Sequence, residues 1–280
     1  MLIARVISAI VFFAFFFLGL FNPLFVWALP LLLAVAALSA LKEFAHFTPQ
    51  RPRPSFVWLA YGAALLMLAD AYYYELDHAL AILGLLTVIS LGWGTLSLER
   101  DSTSMAGVCL IGTLYVTLPL ALITIIWRTA VQSNNQDGQH YIIFLVLGTQ
   151  ASDVGAYFIG RLLGRHKMAP RISPGKSWEG FAGGVAFTLL LAVLAKLFWN
   201  NIDRLFGWYE IVGFALVFSM VGPVGDLAES WLKRTAGIKD SGRTFTGHGG
   251  VLDIIDSLLF TTIIYYIYLG LSPRHEIGIF

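Results

Sequence analysis

Long apolar runs separated by short polar segments are the dominant pattern of this chain. A helix needs about 20 apolar residues to cross the hydrocarbon core of a bilayer. Read on that length, the pattern predicts nine helical spans, at about 6–21, 24–41, 56–73, 79–97, 105–127, 141–160, 180–199, 211–230 and 251–271. The expected fold class is all-α, a polytopic integral membrane protein with about nine transmembrane helices. About five spans fall in an N-terminal region, 1–140, and the rest in a C-terminal region, 141–280, which holds most of the chemistry-bearing residues. The first run, Val6–Phe21, follows Arg5 and lacks a small-residue cleavage site. A second run, Leu24–Leu41, follows at once, so both are expected to remain as spans.

Composition agrees with the pattern. Of 280 residues, 58% are hydrophobic and 12% charged, against about a half and about a quarter in a soluble domain. So little charge cannot cover a water-facing surface. The single cysteine, Cys109, lies in an apolar run and reads as a small buried hydrophobe; it has no partner for an internal disulfide.

Net charge is +1 and uninformative, but its distribution is not. With a cytoplasmic N-terminus, nine spans place 14 of the 18 Lys and Arg residues on the inside, as the positive-inside rule requires. The same arrangement puts the two richest loops, 161–179 and 231–250, on one side. Loop Phe47–Ser55 carries three prolines and two arginines and reads as a stiff connector among headgroups.

Ionisable residues inside spans are costly and usually functional. Asp153 lies in the sixth predicted span, Asp226 in the eighth, and Asp253 and Asp256 open the ninth, all toward the cytoplasmic end. Asp253 and Asp256 are three apart and share a helix face. Ser230 and Lys233 follow Asp226 at i+4 and i+7, again on one face. Pro223 after Gly222 is expected to break or kink the eighth span, and broken spans at membrane depth line a site. Converging carboxylates beside basic groups suit a magnesium ion holding a phosphate chain, since magnesium takes one or two protein carboxylates plus substrate oxygens and water. Taken singly, each acid also fits a plainer reading, reaching headgroup water or pairing with a nearby Lys or Arg, and that reading weighs most for Asp153 and least for Asp253 with Asp256.

The loop 231–250 adds Lys233, Arg234, Lys239 and Arg243 to Gly242, Gly247, Gly249 and Gly250. Glycines allow close backbone approach and free N–H groups make anion nests. The chain has no Walker A pattern. The loop 161–179 ends in Ile172-Ser-Pro-Gly-Lys-Ser-Trp-Glu-Gly-Phe181, offering Lys176, two serines and an expected tight Pro-Gly turn. Its plainer reading is a basic loop that touches lipid headgroups.

The run Ser230-x2-Lys233-Arg234-x4-Lys239-Asp240-x-Gly242-x2-Phe245-x2-His248-Gly249-Gly250-x2-Asp253-x2-Asp256 closely resembles the signature of the phosphatidate cytidylyltransferase (CDP-diacylglycerol synthase) family. The stretch Asp153-x-Gly-Ala-Tyr-Phe-x-Gly160 through Ser173-Pro-Gly-Lys-Ser-Trp-Glu-Gly180 resembles the family's second shared region, and Arg5-Val-Ile-Ser-Ala-Ile its bacterial opening. The resemblance implies a nucleotidyltransferase of phospholipid biosynthesis in a bacterial inner membrane. It would join CTP and phosphatidic acid to give CDP-diacylglycerol and pyrophosphate with magnesium, as a homodimer with its site facing the cytoplasm and no nucleic-acid partner. It implies Asp226 and Asp253 as metal ligands, with Asp256 beside them. Ser230, Lys233, Arg234, Lys239, Asp240 and His248 become the expected catalytic set, and Asp153, Lys176, Gly242, Gly249 and Gly250 the expected substrate-binding set.

Two positions depart from the family pattern. Ile254 stands where the family has Arg after the aspartate, and Thr246 where it has Pro. Ile254 keeps open a different lipid phosphate, a polyprenol-type kinase or a catalytically impaired homologue. Intramembrane acids alone would also fit a transporter.

Overall fold

The computed structural model describes residues 14–47, 53–97, 101–132, 137–238 and 250–272. Among these, eight helices are long and apolar enough to cross a membrane. They match the second to ninth predicted spans. Of the first predicted span, residues 14–21 are helical; its remainder lies outside the described residues.

The helices are α1 (Ala28–Ala45), α2 (Pro54–Tyr74), α3 (Ala79–Leu96), α4 (Ser102–Gly112, continued through a π turn at Thr113–Thr117 into Leu118–Gln132), α5 (Asp137–Leu163), α6 (Trp178–Phe198), a short α7 (Asn200–Leu205), α8 (Trp208–Thr235) and α9 (Leu252–Leu271). A two-stranded antiparallel hairpin, β1 (Lys167–Ala169) with β2 (Ser173–Ser177), stands between α5 and α6.

Local chemistry sets the boundaries. Pro54 opens α2 with its ring already at a helical φ, after an extended Arg53. Glu75, in the left-handed region at φ 55°, ends it. Ser177 caps α6 by accepting the Gly180 N–H at 3.1 Å.

The chain forms two compact units, Met1–Ile125 with Thr235–Ile254, and Ile126–Arg234 with Ile255–Phe280. In the first, α1 to α3 pack against their sequence neighbours and α4 closes onto them. Phe56, Ala60, Met105, Ala106 and Cys109 form a buried cluster. The Cys109 thiol donates to the Phe56 carbonyl at 3.0 Å, so it is the buried small residue that its apolar surroundings predicted.

In the second unit, α5 and α6 pack through small residues. A Cβ on Gly180 would stand 2.8 Å from the Ala156 carbonyl, and one on Gly184 2.8 Å from that of Ser152. The four-residue spacing of these positions on both helices is the close-approach motif of membrane helices, where backbones meet without side chains between them. Thr149 on α5 bonds Thr261 on α9 at 3.0 Å, and the Tyr265 hydroxyl donates to the Tyr141 carbonyl at 3.2 Å. At the far ends of α6 and α8, Lys196 is 7% exposed and pairs with Asp203 at 2.6 Å.

Two expectations are corrected here. Pro223 does not break its span: α8 runs unbroken from Trp208 to Thr235. One missing N–H removes a single rung, and the helix continues past the buried Pro223. Nor do Pro174 and Gly175 make the hairpin turn. They lie within β2, and the turn is 170–172. A two-stranded ribbon has only edge strands, where a proline without N–H is tolerated.

Candidate active site

Three helices of the second unit bring their acids together. Asp153 is on α5, Asp226 on α8 and Asp256 on α9, and the three lie close enough to interact electrostatically. The meeting of α8 and α9 depends on Gly225: a Cβ there would stand 2.6 Å from the Asp256 carbonyl. Backbone contact at that point sets Asp226, the next residue, beside Asp256.

The hairpin supplies a cation. Lys176 Nζ is 2.9 Å from Asp226 Oδ2 and donates to the Pro223 carbonyl at 3.0 Å. The Ser230 hydroxyl donates to Asp226 Oδ1 at 3.3 Å, the i,i+4 contact that helix spacing predicts. Lys233, seven residues from Asp226, instead pairs with Glu229 at 3.4 Å.

Glu229 was absent from the sequence-derived set. Its side chain is fully buried and lies against Asp256. The signal was available: Glu229 stands at i+3 from Asp226 and i−4 from Lys233, in a span where any acid is costly.

A cavity of about 670 Å³ opens beside these groups. Asp153, Asp226 and Lys176 line it, with Arg161 and Lys167 adding positive charge and Tyr157, Met168 and Phe181 adding apolar wall. Arg161 donates to the Tyr157 hydroxyl at 2.9 Å. A chamber with carboxylates at one side and three cations around it can hold phosphate groups together with a divalent cation, while its apolar wall suits a lipid.

Arg234 lies at the end of α8, where its Nε donates to the Ile172 carbonyl at 3.2 Å. This contact ties the end of α8 to the hairpin turn. In the first unit, the Gly250 N–H donates to Asp253 Oδ2 at 2.8 Å. The amide expected to bind substrate phosphate is thus engaged by the neighbouring carboxylate. Lys239, Asp240, Gly242, His248 and Gly249 lie outside the described residues.

The donor set fits magnesium by chemistry, being carboxylate oxygen throughout. Among the described residues, no three His, Cys, Asp or Glu side chains close on one point. Magnesium does not need three, because phosphates and water complete its octahedron.

These features define a polytopic membrane enzyme with an acid and lysine site next to a chamber lined by both cations and apolar groups. The chain matches the cytidylyltransferase family over residues 3–272 and belongs to that family. It is similar to the phosphatidate cytidylyltransferase of Staphylococcus saprophyticus, with 37% identity over 202 residues, 72% of this chain and 74% of that protein. It is 38% identical over 175 residues to the protein of the same name from Staphylococcus aureus, covering 62% of this chain and 63% of that protein. The phosphatidate cytidylyltransferase of Staphylococcus haemolyticus is 37% identical over the same length. The chain is therefore a nucleotidyltransferase of the cytidylyltransferase type, and the kinase, transporter and impaired-homologue readings are not favoured.

Proposed function

We propose that this multi-pass membrane enzyme transfers the cytidylyl group of CTP to phosphatidic acid, giving CDP-diacylglycerol and pyrophosphate. The observation that carries the reading is the chamber beside Asp153, Lys176 and Asp226, walled by both cations and apolar side chains. Its cations suit phosphate groups and its apolar wall suits a lipid.

The reaction is a displacement. A phosphatidate oxygen attacks the α-phosphorus of CTP, the bond from that phosphorus to the bridging oxygen breaks, and pyrophosphate leaves with the electron pair. A phosphate monoester is already nucleophilic, so the chain's work is positioning and charge neutralisation. Asp226 and Asp253, with Asp256, would hold magnesium, which when bound would offset the charge of the triphosphate. Lys233, Arg234 and Lys239 would counter charge developing on the pyrophosphate. Ser230 orients the Asp226 carboxylate by the hydrogen bond described above. Lys176 fixes the same carboxylate from the other side and leads into the chamber. Gly242 and Gly249 would offer backbone N–H groups to phosphate, and Asp240 and His248 would orient the nucleotide.

The site would face the cytoplasm, where CTP is found, in a bacterial inner membrane, and the enzyme would act as a homodimer. Purified protein given CTP labelled at the α-phosphate, phosphatidic acid and magnesium should place label in lipid and release pyrophosphate. Label entering lipid only from the γ-phosphate would overturn the reading in favour of a kinase. Chelation of magnesium should stop the reaction.

A further inference from the structure

We propose that Glu43, on α1, is a positioning residue for the nucleotide and metal end of the site, acting through the start of α9. Its two carboxylate oxygens accept consecutive backbone N–H groups, Val251 to Oε1 at 3.0 Å and Leu252 to Oε2 at 2.9 Å. Glu43 is 3% exposed and lies more than 200 residues away in sequence from both donors.

The contact does more than end a helix. The first N–H groups of any helix need acceptors, and a Ser, Thr, Asp or Asn at the N-cap usually supplies one. Here Val251 precedes α9 and offers no side-chain acceptor. The acceptor instead comes from a carboxylate buried in another membrane helix, a costly way to meet a need that one local hydroxyl would satisfy.

What the distant acceptor adds is position. The three N–H groups at the exit of the Gly-rich loop are all engaged: Gly250 by Asp253, Val251 and Leu252 by Glu43. Asp253 follows Leu252 directly and turns one oxygen back to Gly250. The Glu43 clamp therefore fixes the segment from which the Asp253 carboxylate projects. Charge-assisted bonds to a helix N-terminus are short and directional, which suits this role.

The proposal rests on the cytidylyltransferase reading and on Asp253 as a group toward magnesium. It is tested with the purified full-length chain and E43Q. Glutamine keeps the shape but presents an NH2 to one of the two amides. The expected result is folded protein with kcat/KM for CTP down about tenfold or more, the scale of one charge-assisted hydrogen bond. The magnesium requirement should rise, the thermal stabilisation given by CTP with magnesium should shrink, and KM for phosphatidate should stay unchanged. E43D, which keeps the charge but shortens the reach, should fall between parent and E43Q, and it carries the same test where E43Q does not fold. A lowered melting temperature with parental kinetics and a parental CTP–magnesium shift would reduce Glu43 to a structural cap and overturn the proposal. So would failure of both variants to fold. A parent chain inactive on CTP and phosphatidate would sink the functional reading instead, leaving the CTP–magnesium melting shift to decide on Glu43.

Discussion

Lys176 on the hairpin and Asp226 on α8 form an ion pair at 2.9 Å, and the same ammonium holds the carbonyl of Pro223. The hairpin is thereby tied to α8 at its internal proline. The lysine side chain is about one-fifth exposed and the aspartate about one-third, so the pair borders the chamber rather than lying sealed in the core. Each residue constrains the other, and the two are expected to act as a unit. D226N should remove turnover while the protein still inserts and folds, because a carboxylate at the metal serves the transition state more than the ground state. K176M should lose about 10²-fold in turnover, the scale of one preorganised electrostatic contact. The double variant should be little worse than D226N alone. Independent, multiplying losses in steady-state assays would show that the pair is incidental.

Lys233 and Glu229 make a different kind of pair, because Glu229 is fully buried. Removing one partner of a buried pair leaves an uncompensated charge and costs about 3–5 kcal/mol. K233M should therefore lower the melting temperature in detergent markedly, and E229Q introduced beside it should recover much of the loss. Equal stability of K233M and the parent would show that Glu229 is balanced by other groups.

Gly225 tests the meeting of α8 and α9. Alanine there would press a methyl group to 2.6 Å from the Asp256 carbonyl, so the helices must separate. G225A is expected to cost about 1–3 kcal/mol, as overpacking does. It should reduce turnover beyond what lost stability explains, because Asp226 and Asp256 move apart with their backbones. Parental turnover per folded molecule would show that the two carboxylates need not be adjacent.

Ile254 occupies the position where the family pattern has arginine. Its side chain is 38% exposed, so a longer side chain meets no close-packed wall. Adjacent helical positions point about 100° apart, and residue 254 does not crowd the Asp253 carboxylate. I254R should fold as the parent does, with turnover equal or higher. If the guanidinium reaches a bound phosphate, binding of CTP or lipid should tighten by about 1.5–3 kcal/mol. A stable I254R protein with much lower turnover would point to a rearranged pocket and a different lipid substrate.

The charge count makes a topological prediction. With nine spans and a cytoplasmic N-terminus, a reporter fused after Phe280 should be active only in its periplasm-competent form. A signal only from a cytoplasmic reporter would remove the first span from the count.

The sequence by itself determined the membrane architecture, because hydropathy is a sum over a single helix and needs no neighbour. Seven spans predicted to within a few residues, from α2 through α9 with the short α7 set aside, follow from apolar run length, and α1 is displaced by about four residues. The bond from Ser230 to Asp226 was legible for the same reason, since i,i+4 neighbours meet on any helix. The family's motifs and the acids inside spans are also read from local sequence, and together they named Asp153, Lys176, Asp226 and Asp256 without placing them. Their placement was decided by tertiary structure. Lys176 reaches Asp226 because a hairpin folds the loop 161–179 back onto α8, and Asp256 reaches Asp226 because Gly225 admits the α9 backbone. The i+7 spacing put Lys233 on the face of Asp226, and the structure pairs it with Glu229, one helical turn away. Least legible of all was Glu43. Nothing within its own span marks it, since its partners are backbone N–H groups more than 200 residues away. Backbone donors carry no sequence signature, and only the packing of α1 against the start of α9 brings them within reach.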